Sequence, residues 1–119
     1  MANVEHKRMH APDEVRKFGH GQIEVVNIGG GTVGRFNAEP GWKWSIDVKP
    51  IAGTDLCQAP HFLYQVSGRM VVKMADGKET ETGPGDVVII PPGHDAWVVG
   101  NESVVAIDWS GAANYAKGS

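Results

Sequence analysis

The chain lacks the sequence features of disulfide-bonded, membrane-spanning and secreted proteins. Its 119 residues include one cysteine, Cys57, so no internal disulfide can form, as is usual in a reducing compartment. No apolar run is long enough to cross a bilayer. The polar N-terminal stretch also lacks the apolar core of a secretion signal. These absences predict a cytoplasmic protein that does not act at a membrane.

Positive charge and nucleophile motifs are scarce as well. The formal net charge is −3, which gives no basic surface for nucleic acid. There is no Gly-x-Ser-x-Gly motif, and Ser67 and Ser110 stand in turn-like settings, so nucleophilic catalysis finds no support. Residues 29–34 match Gly-x-Gly-x-x-Gly, but a strand-like pattern follows instead of a helix. This run predicts a hairpin turn rather than a dinucleotide site.

Glycine and proline are plentiful, and they separate short segments in which apolar and polar residues alternate. The 16 glycines and 7 prolines fall between segments rather than in one low-complexity tract. Period-two patterning of this kind predicts strands. The predicted strands are 22–28, 32–36, 42–48, 61–66, 69–74, 78–82, 86–90, 96–99 and 104–109. Two hairpins are expected, at 67–68 and at 76–77. Eight or nine short strands indicate an antiparallel sandwich or barrel.

The two ends of the chain fit the pattern less well. We expect an N-terminal arm in residues 1–20, a barrel over 21–111 and a tail over 112–119. The arm is predicted to contain a short helix over 12–18, and the tail a helix over 112–117. The strand at 22–28 looks well placed to extend a neighbour's sheet, so a homodimer is expected.

One segment carries a family resemblance. Gly85, Pro91 and Gly93 follow the order Gly, five residues, Pro, any residue, Gly, which resembles the second signature of the cupin superfamily. Residues 61–69 resemble the end of the first signature, which closes at Gly68. The chain is also similar to short bacterial cupins with a Cys-x-x-x-His pair and a Pro-Pro-Gly-His-Asp-Ala-Trp turn. The resemblance implies an all-β, antiparallel cupin-type β-barrel (a double-stranded jelly roll) with one or two short peripheral helices.

The resemblance also shows where the usual metal ligands are missing. The glutamate position of the first signature holds His61. Its two histidine positions fall at Asp55 and Cys57 or, one residue earlier, at Thr54 and Leu56. The histidine position of the second signature holds Ala96, two residues after His94. The remaining candidates are Cys57, His61 and His94, with Asp55 as a weaker fourth. Thiolate and imidazole together suit Zn²⁺ or Fe²⁺.

Each candidate residue also has an ordinary structural explanation. His61 can be a histidine satisfied by backbone hydrogen bonds, and His94 can be a turn residue that bonds to Asp95. Cys57 can be a small buried hydrophobe, and Asp55 can be a turn residue. The tryptophans can be core residues, above all Trp109. As ligand-binding residues we expect side chains that would line or flank a cavity: Trp42, Trp44, Tyr64, Trp97 and Asp55.

Three functional hypotheses therefore stay open. The first is a small-molecule-binding cupin that acts as a metal-dependent enzyme, of the dioxygenase, isomerase, cyclase or lyase type that the resemblance implies. The second is a metal-free ligand-binding or sensing module that works as a homodimer. The third is an accessory subunit that acts only through oligomerisation.

Overall fold

The computed structural model describes residues 3–110 and 115–116, and within them nine strands form two antiparallel sheets. The larger sheet has the order β1-β2-β3-β9-β4-β7, and the smaller has the order β6-β5-β8. The strands are β1 Glu14–Phe18, β2 Gly21–Ile28, β3 Gly31–Ala38, β4 His61–Ser67, β5 Arg69–Met74, β6 Glu79–Thr82, β7 Val87–Ile90, β8 His94–Val99 and β9 Val104–Asp108. Two helices of four residues each, α1 Trp44–Asp47 and α2 Lys49–Ala52, lie between β3 and β4.

Alternation along the strands places one core between the two sheets. In β4, His61, Leu63 and Gln65 are buried, while Phe62 and Tyr64 are exposed on the outer face. Buried apolar side chains from both sheets form a single cluster, as face-to-face packing requires. The central part of the fold is therefore the all-β cupin-type barrel that the sequence predicted.

The helix predicted over 12–18 is wrong, because this segment is strand β1. It pairs along its length with β2, in a register that puts Glu14 opposite Val25. Glu14 and Arg16 project to the same side and are joined by an ion pair of 2.7 Å, which period-two spacing allows. Charged, exposed residues are common in an edge strand. Here the acidic residues at the start of the segment and the basic residues at its end matched the signals of a helix, although the segment forms a strand.

Strand β1 also corrects the expectation for residues 22–28. Strand β2 lies between β1 and β3, and β1 covers its other edge from Gly21 to Val25, so this strand is not the sheet edge that was expected to extend a neighbour's sheet. The edge strands of the larger sheet are β1 and β7. Outer-face side chains near the β7 edge form an exposed apolar patch: Phe62, Tyr64, Val66, Val87, Ile89 and Trp109. The homodimer stays a prediction.

The strand predicted over 42–48 is also wrong. Only Lys43 makes a bridge, with Trp97, and the chain then turns into helix α1. Trp44 and Val48 are buried while Ile46 is 67% exposed, which matches helical spacing rather than alternation. The Asp47 carboxylate accepts a hydrogen bond from the Lys43 backbone N–H and so stabilises the turn.

One of the two predicted hairpins is wrong and the other is confirmed. Strands β5 and β6 pair across the turn at Asp76 and Gly77. Strands β4 and β5 belong to different sheets, so the chain changes sheet at Gly68 instead of folding back. Gly68 has a φ of 75°, and a Cβ there would lie 2.5 Å from the Ser103 carbonyl oxygen, so this corner requires glycine.

The remaining expectations concern the glycine run and the C-terminal tail. Gly29 and Gly30 form the turn between β2 and β3, as predicted. Most of the helix predicted over 112–117 lies outside the described residues. Residues 115–116, which are described, form a turn. Within the part of the chain that is described, neither helix has the length or apolar character needed to cross a membrane.

Candidate metal centre

The three candidate metal ligands lie together at one end of the barrel. Cys57 precedes β4, His61 is the first residue of β4, and His94 is the first residue of β8. All three are buried, and one ligand atom from each lies within 4.8 Å of the other two. The Cys57 Sγ and the His61 Nε2 are 3.9 Å apart. The cluster therefore joins residues that are far apart in the sequence and belong to both sheets.

Backbone pairing fixes Cys57 beside His94. The Cys57 N–H donates to the His94 carbonyl at 2.8 Å, and the Gly93 N–H donates to the Cys57 carbonyl at 2.7 Å. Residues that pair across an antiparallel bridge project their side chains to the same side. Gly93 has a φ of 92°, which a residue with a side chain rarely adopts, and this turn leads directly into His94.

A buried carboxylate orients the ring of His61. The Nδ1–H of His61 donates to Asp108 Oδ2 at 2.5 Å, so the other ring nitrogen faces Cys57. Asp108 ends strand β9 opposite Leu63, and its Oδ1 accepts a hydrogen bond from the Ser110 N–H at 3.0 Å. A carboxylate that holds one nitrogen of a histidine is the usual second layer of a metal site, since it fixes which nitrogen is free to bind.

A backbone carbonyl orients His94 in the same way. The His94 Nδ1 lies 2.7 Å from the Pro91 carbonyl oxygen. A carbonyl can only accept, so Nδ1 carries a hydrogen, and Nε2 is the nitrogen that a metal could bind. Both imidazoles are thus held by their Nδ1 atoms, and their Nε2 atoms are left available as ligands.

The charges in the cluster favour a thiolate. Burial alone raises the pKa of the Cys57 thiol, but hydrogen bonds from His61 and His94, together with the electrostatic influence of both rings, outweigh it and lower the pKa to about 6. Burial alone lowers the pKa of His61, but its hydrogen bonds to Asp108 and Cys57 raise it to about 9. In metal-free protein at neutral pH Cys57 is therefore a thiolate beside a protonated His61, and metal binding at His61 Nε2 would release that proton.

A small cavity of about 30 Å³ adjoins the cluster. Most of its lining is apolar, and the polar side chains among the lining residues include His61, His94 and Asp108. The remaining lining residues are Ile23, Phe36, Trp42, Trp44, Leu63, Met70, Ile90, Ala96 and Tyr115. A buried water needs at least ~10–15 Å³, so this space suits a ligand, or part of one, with a few non-hydrogen atoms.

The predicted ligand-binding residues divide into two groups. Trp42 and Trp44 are buried and line the cavity. The other three lie away from it. Tyr64 is 41% exposed on the outer face of β4, and the Trp97 ring lies 5.1 Å from the Lys43 ammonium. The Asp55 carboxylate is fully exposed, 3.6 Å from Lys49, and does not join the metal cluster. The alternation in β4 and β8 explains the positions of Tyr64 and Trp97, because His61 and His94 occupy the inward-facing positions.

Two residues of the site were not predicted from the sequence. Asp108 is the third inward-facing residue of β9, after Val104 and Ala106. A carboxylate on the buried face of a strand almost always has a partner, so this pattern could have revealed it. Tyr115 packs edge-on against Phe36 and His61, with ring centroids 5.8 and 5.5 Å apart. Nothing in the local sequence indicates that contact, and burial followed by the negative charges of Cys57 and Asp108 raises the pKa of Tyr115.

Comparison with solved structures identifies the fold. A double-stranded β-helix protein from Klebsiella pneumoniae is 21% identical, with a TM-score of 0.55 over 82% of this chain and 76% of that one. A cupin-like protein from Thermotoga maritima is 19% identical, with a TM-score of 0.54 over 78% and 70%. The oxalate decarboxylase of Lactobacillus farciminis, solved with formate, is 16% identical, with a TM-score of 0.60. That match covers 86% of this chain and 32% of the decarboxylase.

These likenesses show that the chain has the cupin fold, the double-stranded β-helix. No protein-family model matches the sequence, and no curated protein sequence matches it either. The fold is thus established by structure, while the reaction depends on the residues of the site.

Proposed function

We propose that this protein is a metal-dependent cupin that binds a small organic molecule next to one divalent ion, Zn²⁺ or Fe²⁺. The observation that carries the proposal is the convergence of Cys57, His61 and His94, with each histidine oriented by a separate hydrogen bond at Nδ1. A buried histidine without a metal also needs its N–H paired, so the convergence of the three ligand atoms, rather than the hydrogen bonds alone, points to an ion.

The donor set agrees with the chemistry of these ions. One thiolate and two imidazoles form a three-ligand set typical of catalytic zinc, which leaves a fourth position for water or substrate. Usual bond lengths imply an S···N separation of about 3.6 Å around a tetrahedral ion. The 3.9 Å between Cys57 Sγ and His61 Nε2 is close to that value. Asp55 is remote, so three residues would hold the ion, and two of them, His61 and His94, line the cavity.

The cavity restricts the chemistry to small groups. Bound metal would supply Lewis acidity, or a site for O₂ in the case of iron. The apolar wall excludes water, and Asp108 holds the proton of His61 at Nδ1, away from the metal-binding nitrogen. We infer an enzyme of the dioxygenase, isomerase, cyclase or lyase type. The oxalate decarboxylase among the similar structures is consistent with this range.

The metal content of the native protein tests the proposal. The protein would be purified without a metal-affinity column and compared with Cys57→Ser, His61→Ala and His94→Ala by elemental mass spectrometry. We expect about one zinc or iron per chain in the native protein and loss of the metal in each variant. His10→Ala is the matched control, because His10 is exposed and lies outside the cluster, and it should retain the metal. Native protein that takes up neither ion, even when the ion is added in excess, would refute the proposal.

A second candidate function follows from the alignment of Cys57, His61 and Asp108. A cysteine, a histidine and a carboxylate in this order can activate the thiolate as a nucleophile, although the sequence indicated no such arrangement. His94 separates the two candidates. The test compares the rate at which Cys57 is alkylated in metal-free protein. If Cys57 is a nucleophile activated by His61, the rate should be lost in His61→Ala and mostly kept in His94→Ala. A metal centre needs both histidines.

A further inference from the structure

Two buried tryptophans next to the candidate metal centre have unused hydrogen-bond donors. The side chains of Trp42 and Trp44 are 2% and 1% exposed, and neither Nε1 atom has a hydrogen-bond partner. An indole N–H is a donor only, and a buried donor without an acceptor costs free energy. Among the described residues these are the only buried side-chain nitrogen or oxygen atoms without a partner. An acceptor from outside the protein would remove this cost.

Both rings line the same cavity as the cluster. Trp42 packs edge-on against Phe36 at a centroid distance of 5.1 Å, and its backbone carbonyl accepts a hydrogen bond from Val98. Trp44 is held in helix α1, whose turn is stabilised by Asp47. The two donors are therefore carried by side chains whose backbone is fixed, so they are pre-organised for an acceptor.

The other lining residues indicate what kind of molecule fits. No lysine or arginine lines the cavity. Neither indole donates a hydrogen bond to the polar lining residues, which are His61, His94, Asp108 and Tyr115. A ligand that brings oxygen acceptors and few donors would satisfy both N–H groups without leaving a donor of its own unpaired. The volume of about 30 Å³ limits the buried part of that ligand to a few non-hydrogen atoms.

We propose that the indole N–H groups of Trp42 and Trp44 bind the oxygen atoms of a small carboxylate or carbonyl compound in this cavity. The inference deepens the proposed function by naming the ligand class, and it rests on that function only for the ion beside the ligand. The tryptophans then act as binding residues that place the ligand's oxygen end against the aromatic wall.

The indole N–H signals of the four tryptophans test the proposal directly by ¹H–¹⁵N NMR spectroscopy. Acetate and acetone would be titrated separately into metal-free and zinc-loaded protein. We expect the Trp42 and Trp44 signals to move with saturation, while those of Trp97 and Trp109, which do not line the cavity, stay in place. A response to acetate alone identifies a carboxylate ligand, and a response to acetone alone or to both identifies a carbonyl oxygen.

Substitutions assign the signals and give the size of the effect. Trp42→Phe and Trp44→Phe each remove one signal and should weaken binding of the active probe about 3- to 10-fold, as expected for one lost hydrogen bond. Trp109→Phe, which changes a half-exposed ring, should leave the affinity unchanged. If neither probe moves the Trp42 and Trp44 signals in either form of the protein, the proposal is wrong. A response in metal-free protein that binds no zinc would support it even if the metal centre were refuted.

Discussion

Strand β4 carries two buried polar side chains on its inward face, His61 near one end of the barrel and Gln65 near the other. Their exposures are 9% and 0%, so burial does not distinguish them. The Gln65 amide donates to the Gly68 carbonyl at 2.8 Å and accepts from the Thr82 hydroxyl at 2.6 Å. Every group there is neutral and paired within the protein, as expected of a structural hydrogen-bond network.

The His61 end differs in three respects. Its groups are ionisable, its ligand atoms converge on a point between three residues, and a cavity with unpaired donors adjoins it. The comparison shows that a buried polar residue by itself does not indicate function. The useful signal is a buried polar group whose bonding capacity the protein leaves partly unused.

The largest effect on stability should come from the Gln65 end. Gln65→Ala removes the amide and leaves the Thr82 hydroxyl and the Gly68 carbonyl without their partner. We expect the free energy of unfolding to fall by about 3 kcal/mol in denaturant titrations, while metal content is unchanged. Gln58→Ala, at an exposed position, should change stability by less than about 0.5 kcal/mol. A loss of metal in Gln65→Ala would remove the contrast between the two ends.

An intermediate effect is expected at Asp108. Asp108→Asn keeps an oxygen that can accept the Nδ1–H of His61 but removes the charge. Metal affinity, measured by competition with a chelating dye, should fall about 10- to 100-fold. Asp76→Asn is the matched control, because Asp76 lies exposed in the turn between β5 and β6. An unchanged affinity in Asp108→Asn, with both variants folded, would mean that Asp108 has only a structural role.

The smallest effect on stability should come from pH in the metal-free protein. The pKa of Cys57 is lowered from 9.0 to about 6. Its contribution to the free energy of unfolding is therefore complete above pH 9.0 and is lost as the pH falls through about 6. The pKa of His61 is raised from 6.5 to about 9. Its contribution to the free energy of unfolding is therefore complete below pH 6.5 and is lost as the pH rises through about 9. One contribution increases where the other decreases, so the pair should change the free energy of unfolding little between pH 6 and 9.

A site-specific measurement is needed to detect this pair. The thiolate absorbance of metal-free protein, taken as the difference from Cys57→Ser, should have a midpoint near pH 6. In the unfolded protein the same difference should have its midpoint near pH 9. A folded-state midpoint near 9 would contradict the ion pair between Cys57 and His61 and would make the two ends of β4 electrostatically alike.

Local patterns predicted most of the fold but left particular segments wrong. Alternation and turn residues were enough for β4 to β9, and Gly85, Pro91 and Gly93 indicated the cupin fold. The segment 42–48 failed because its spacing suits both a strand and a helical turn, and only the burial of Trp44 with Val48 decides between them. The first hairpin failed because Gly68 passes between sheets, which depends on contacts with Ser103, distant in sequence.

The site was predictable only in part for the same reason. Cys57, His61 and His94 could be nominated from their positions in the signatures. Tyr64 and Trp97 were nominated for their chemistry, but which face of a strand they occupy depends on register. Asp108 and Tyr115 enter the site through tertiary packing alone, and no short-range pattern brings them next to His61.

The position of the ligands in both sheets has a consequence for folding. His61 begins β4 in the larger sheet, His94 begins β8 in the smaller one, and Cys57 lies in the connection between α2 and β4. An ion held by these three residues would cross-link the two sheets of the barrel. In a chain with a single cysteine, the metal would then take the place of a disulfide as a cross-link between the sheets, and its binding would raise the free energy of unfolding.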